Sequence, residues 1–133
     1  MNMYEEQRQG IKRKLYGFIE TLDLKEYLIV SHRQLALLLI WGIRFIDRSS
    51  IIRYPEFSMD DDFGLCFDWI KDKHNSFSLT IDENGLCHYA YIKQESEGPS
   101  DGGLKGHGHF KVGSSEFEDY NTRMSVIVDN IFG

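Results

Sequence analysis

Phe77-Ser78-Leu79-Thr80-Ile81-Asp82-Glu83-Asn84-Gly85-Leu86-Cys87-His88-Tyr89-Ala90-Tyr91-Ile92 is the stretch on which the fold turns. Phe77, Leu79 and Ile81 alternate with Ser78 and Thr80, the period-two pattern of a strand with one apolar face. The four residues after them bring the chain back. Asp at the first turn position and Gly at the fourth match a type I turn closed by a G1 bulge. That turn sets Ile81 opposite Cys87, Leu79 opposite Tyr89 and Phe77 opposite Tyr91, with every apolar residue on one side. A two-residue Asn84-Gly85 turn would shift the register by one and put His88 on the core face with both tyrosines outside. The hydrophobic pattern favours the bulged turn.

Working outward, Phe63, Leu65, Phe67 and Trp69 alternate with Gly64, Cys66 and Asp68, which predicts a strand over Phe63–Ile70. With Phe77–Ile81, Leu86–Ile92 and about Lys105–Val112 it makes a four-stranded antiparallel meander, apolar on one side. Asp60-Asp61-Asp62 reads as the polar turn before it. Ile51–Tyr54 reads as a short strand stopped by Pro55, which has no donor for a ladder. The segment 94–103 is a long loop of polar and glycine residues.

Helices are expected on both sides of the meander in sequence. Ile11, Leu15, Phe18, Ile19 and Leu22 form one stripe at helical spacing within about Tyr4–Leu22. Asp23 with Glu26 and Ser31 with Gln34 are two candidate helix starts. The second opens on Leu35–Ile46, apolar on most faces and so expected to be a buried central helix with Trp41 and Phe45 in the core. Ser115 with Glu118 reads as a capping box for a helix presenting Phe117, Tyr120, Met124, Ile127 and Ile131. The expected fold class is therefore α+β, one domain over residues 1–133, with N-terminal helices and a C-terminal helix packed on one face of the four-stranded meander.

Composition narrows the function classes. At 133 residues the chain is long enough for one core without staples, since such a domain buries roughly 68% of its unfolded surface. A net charge of −6 argues against nonspecific nucleic-acid binding, which needs clustered Lys and Arg, and favours a basic protein partner. Cys66 and Cys87 fall on the first and third predicted strands, on opposite faces and on the order of 9–10 Å apart, too far for a disulfide. Two free thiols fit a reducing compartment, and a cytoplasmic location is expected. Met1–Lys14 is charged and lacks the apolar core of a signal peptide, and Leu35–Ile43 is too short to cross a bilayer, so no membrane partner is expected.

The order of an apolar helix, Phe67-Asp68-Trp69, the Phe77–Tyr91 hairpin, Gly106–Phe110 and a capped helix resembles a recurrent type of small uncharacterised bacterial and phage protein. The resemblance spans roughly Pro55–Phe132. It implies the helix-plus-meander fold and an accessory or inhibitory role in a phage or mobile element, but no activity.

Chemistry has few footholds. The outer sheet face should carry Cys66, Asp68, Ser78, Thr80, His88, Ala90 and Ile92, joined by His107, His109 and Lys111 if Phe110 and Val112 point inward, the register of that strand being open. His107 and His109 on one strand, with His88 beside them, could hold zinc through three imidazoles and serve a metal-binding protein or metal-dependent hydrolase. Against this stand the absence of a carboxylate to orient the rings, the shallowness of a sheet face and the Lys111 charge. Three solvated histidines are the plainer reading. Gly102–Gly108 leads into a strand rather than a helix, which does not suit a phosphate loop. Cys66 beside a histidine could be a nucleophile, but a half-buried structural thiol is commoner. No cofactor is expected. The leading reading is a non-enzymatic protein that binds another protein through acidic segments, Asp60, Asp61 and Asp62 in one, Glu95, Glu97 and Asp101 in the other. The oligomeric state stays open.

Overall fold

A computed structural model describes residues 2–23, 30–94 and 103–133. The elements run α1 (Met3–Asp23), α2 (His32–Arg48), β1 (Glu56–Met59), β2 (Leu65–Asp72), β3 (Asn75–Ile81), β4 (Leu86–Gln94), β5 (Gly103–Lys111) and α3 (Phe117–Phe132). The strands form one antiparallel sheet in sequence order, β1-β2-β3-β4-β5. The class is α+β as expected, but the sheet has five strands, not four.

The helices bury their stripes against one sheet face. Ile11, Leu15, Ile19 and Leu22 of α1, Leu35, Leu38, Phe45 and Ile46 of α2, and Phe117, Met124, Val128 and Ile131 of α3 share a core with the inward residues of the strands. Its centre is aromatic. Phe67 receives Phe45 and Phe57 edge-on at 5.2 and 4.9 Å, and Phe77 stacks on Tyr89 at 5.6 Å. Such pairs add about 0.5–1.5 kcal/mol each beyond the area they bury.

The β3–β4 hairpin has the bulged register. Ile81 pairs with Cys87, Leu79 with Tyr89 and Phe77 with Tyr91. The Gly85 N–H donates to the Asp82 carbonyl at 3.1 Å, the Asp82 N–H donates to the Leu86 carbonyl at 3.0 Å, and Gly85 takes φ 79°. Tyr89 is buried, Tyr91 half-buried and His88 exposed on the opposite face.

Five expectations need correction. Ile51–Tyr54 is not a strand. The strand follows Pro55 instead of ending at it, since a residue without an N–H is tolerated just outside a ladder. Phe57 and Met59 turn inward from β1, and Asp60–Asp62 belong to the hairpin joining β1 to β2. Phe63 is not a core residue of a strand. It sits in that hairpin turn at φ 63°, 40% exposed. Ser115 and Glu118 do not form a capping box, because α3 begins at Phe117 with Glu116 as N-cap and no side-chain cap bond. Trp41 is half-buried over the β3–β4 turn, its Nε1–H donating to the Glu83 carbonyl at 3.0 Å. Ser31 caps α2 as expected, its hydroxyl accepting the Gln34 N–H at 3.1 Å. Asp23 is the final residue of α1 rather than a helix start, and Glu26 lies outside the described residues.

Candidate functional site

The face turned away from the helices is read directly from the pairing register. Four rows cross it from β1 to β5. The first is Asp60, Gly64, Asp82, Leu86 and Lys111. The second is Ser58, Cys66, Thr80, His88 and His109. The third is Glu56, Asp68, Ser78, Ala90 and His107. The fourth, starting on β2, is Ile70, Ser76, Ile92 and Lys105. Acidic groups thus sit on the β1–β2 side and basic or imidazole groups on the β4–β5 side. Small hydroxyl residues, Ser76, Ser78 and Thr80, occupy the middle, with Asp82 at its end.

The fourth expected strand, now β5, faces as expected, and the reason is local. Gly106 and Gly108 point inward, where a Cβ would lie 2.5 Å from the rings of Tyr91 and Tyr89 respectively. The tyrosines lie across the β5 backbone, so the inward positions must be bare and the intervening residues, His107 and His109, face out. His88 pairs with His109, with ring centroids 5.9 Å apart, while His107 pairs with Ala90. The structure therefore brings together two of the three proposed ligands and leaves the third a row away. Among the described residues no three His, Cys, Asp or Glu side chains are grouped to hold a metal ion.

Cys66 meets Thr80, not a histidine, with Sγ 3.5 Å from the Thr80 hydroxyl. His88 lies one strand further on. Burial pushes the Cys66 thiol above its ordinary range, with hydrogen bonds from Thr80 and Ser58 pulling the other way. A nucleophilic cysteine needs the opposite shift. Cys87 is buried on the inner face, its thiol pushed up by desolvation, and neither cysteine is bridged.

The acidic turn has a definite geometry. The Asp60 carboxylate accepts the N–H groups of Asp62 at 3.0 Å and Gly64 at 2.7 Å, and the Phe63 N–H donates to the Asp60 carbonyl at 3.0 Å. Asp82 makes the same set with Asn84, Leu86 and Gly85 at 2.8, 3.0 and 3.1 Å. The two turns are the same structure on the same end of the sheet. They differ in what occupies the left-handed position: Gly85 in one, Phe63 in the other. Asp60 therefore spends its carboxylate on its own turn, while Asp61, Asp62 and Phe63 project as an exposed tip. Sequence reasoning missed Phe63. The signal was the parallel between Asp60-Asp61-Asp62-Phe63 and Asp82-Glu83-Asn84-Gly85. Glu95, Glu97 and Asp101 lie outside the described residues.

A groove of about 550 Å³ also runs between the 50–56 segment, the end of β2 and α3. Trp69 donates its Nε1–H to the Arg53 carbonyl at 2.9 Å, and the Arg53 guanidinium lies 4.7 Å over the Phe132 ring. The groove's carboxylates are Glu56 and Asp68, which are cross-strand partners, and Asp129. No described helix is long and apolar enough to cross a membrane. The chain matches no protein-family model, no curated protein and no solved structure, so any reading of its function rests on its own residues.

Proposed function

We propose that this protein acts by binding another protein, with the β1–β2 hairpin tip as the contact and a basic surface on the partner. The observation that carries the reading is Phe63. A bulky residue in the left-handed region costs roughly 1–2 kcal/mol relative to an ordinary conformation. Gly85 shows that glycine suits the same turn. An aromatic side chain kept there, 40% exposed, gains the fold little, yet aromatic residues are frequent anchors of protein interfaces. Asp61 and Asp62 beside it would steer a basic partner toward the tip and set its orientation.

The test is affinity capture from the native host, read by quantitative mass spectrometry, with three baits. The wild-type protein should enrich a basic partner. Phe63→Gly and the double change Asp61→Lys with Asp62→Lys should each lose it while keeping the fold. Equal enrichment on all three baits would sink the reading. The metal-binding alternative, through His88, His107 and His109, is tested by metal analysis of untagged protein. Stoichiometric zinc lost on changing His88 with His109 would displace protein binding as the leading function.

A further inference from the structure

The geometry points to a second use of this molecule: the open sheet face pairs with the same face of a second copy, as a two-fold face-to-face dimer. The argument is one of self-complementarity. Aligned sheets stack at about −30° and ~10 Å apart. A two-fold axis along β3, between the stacked sheets, lays β1 and β2 of one copy over β5 and β4 of the other, row on row. Glu56 then meets His107, Asp60 meets Lys111 and Ile70 meets Ile92, each twice. Along the axis itself Ser76, Ser78 and Thr80 meet their own copies. Their small side chains permit close approach. The other in-plane axis, across the strands, would lay each strand on its own copy, with Lys111 on Lys105 and His109 on His107 and no acid opposite them, so charge selects the first.

The same split argues against a foreign partner of one charge. A basic protein covering the face would suit Glu56 and Asp68 but oppose Lys105 and Lys111. An acidic one would do the reverse. The two isoleucines add the apolar contact. Ile70 is 60% exposed and Ile92 37%, on a face where Leu86 is the one other large aliphatic side chain in the four rows. Three features oppose the pairing. Asp60, opposite Lys111, already holds the N–H groups of Asp62 and Gly64 with Oδ1, leaving Oδ2 for the lysine. Glu56 is shared with Lys14 at 3.2 Å, although 78% of its side chain remains exposed. Asp82 meets its own copy, with Oδ1 already holding the N–H groups of Asn84 and Leu86 and the sheet twist separating the two ends. The footprint of five strands and four rows is on the order of 500 Å² per copy. That is below the ~800 Å² of a standard stable interface, so the dimer should be weak and concentration-dependent.

Sedimentation equilibrium from about 1 to several hundred micromolar protein tests this. A reversible monomer–dimer equilibrium is expected. Ile70→Glu, at a position 60% exposed and so expected to leave the monomer's melting temperature unchanged, should weaken it by about tenfold or more. Glu56→Lys should weaken it several-fold, and the swap Glu56→Lys with His107→Glu should restore it, because both contacts reverse together. A monomer at every concentration would overturn the inference. So would a dimer indifferent to Ile70→Glu and to the swap, which would place the contact elsewhere, such as the β5 edge.

Discussion

Phe63 and Gly85 occupy equivalent positions, and exchanging their residue types makes opposite predictions. Phe63→Gly should raise stability by about 0.5–1 kcal/mol, the strain relieved less the extra freedom glycine has when unfolded. Gly85→Ala should lower it by about 2 kcal/mol, since a Cβ there is strained at φ 79° and would lie 2.7 Å from the Trp41 ring. Urea denaturation of the two variants beside wild type checks both. A loss of stability in Phe63→Gly would mean that the ring packs in a way its exposure does not show. The cysteines give a third prediction at this scale. A raised pKa leaves little thiolate at neutral pH, so alkylation of Cys66 should be slow at pH 7 and accelerate only as the solution becomes alkaline. Cys87 should label only on unfolding. Mass spectrometry after alkylation at several pH values reads both, and fast labelling of Cys66 at pH 7 would reopen its case as a nucleophile.

Among the elements, β5 shows how one strand can be written by its neighbour. Its Gly-His-Gly-His run is a consequence of Tyr89 and Tyr91 on β4, whose rings claim the space a β5 side chain would take. Gly108→Ala should therefore cost about 1–3 kcal/mol as overpacking, whereas Gly→Ala in an ordinary strand interior is neutral or stabilising. Tyr89→Leu should absorb part of that loss in a double-mutant cycle, and strictly additive effects would show that ring and glycine do not meet. The same neighbour relation explains what the sequence made legible. The β3–β4 hairpin could be read because Asp82 and Gly85 both carry the signals of its turn. The β1–β2 hairpin could not, because Phe63 stands where the glycine signal would be. With that turn hidden, β1 went with it: only Phe57 and Met59 mark its inward face. The outward histidines followed from alternation alone, but their partners did not, since the polar, glycine-rich pattern of 94–103 carries no signal for the β4–β5 register. The strain at Phe63 is a property of a dihedral angle, and no residue pattern displays it. Trp41, apolar and in an apolar helix, reads as core, yet its polar edge is what the structure uses, to hold Glu83.

For the whole molecule, the two faces of the sheet carry separate duties. The inner face is committed to the helices, so its substitutions report on folding. The outer face has no described helix against it, and its substitutions report on contacts with other molecules. The two proposed surfaces are also distinguishable, since Phe63→Gly should leave self-association intact and Ile70→Glu should leave partner capture intact. The strict strand order β1-β2-β3-β4-β5 has a further consequence, for speed. Each strand's partner is its neighbour in the chain, and the three described connections, β1–β2, β2–β3 and β3–β4, are short turns. The sheet can assemble hairpin by hairpin without closing a long loop first. Mixed folds with such local pairing refold faster than sheets whose neighbours are distant in sequence. Stopped-flow refolding should accordingly finish within tens of milliseconds, with no slow phase from an obligatory long-range search.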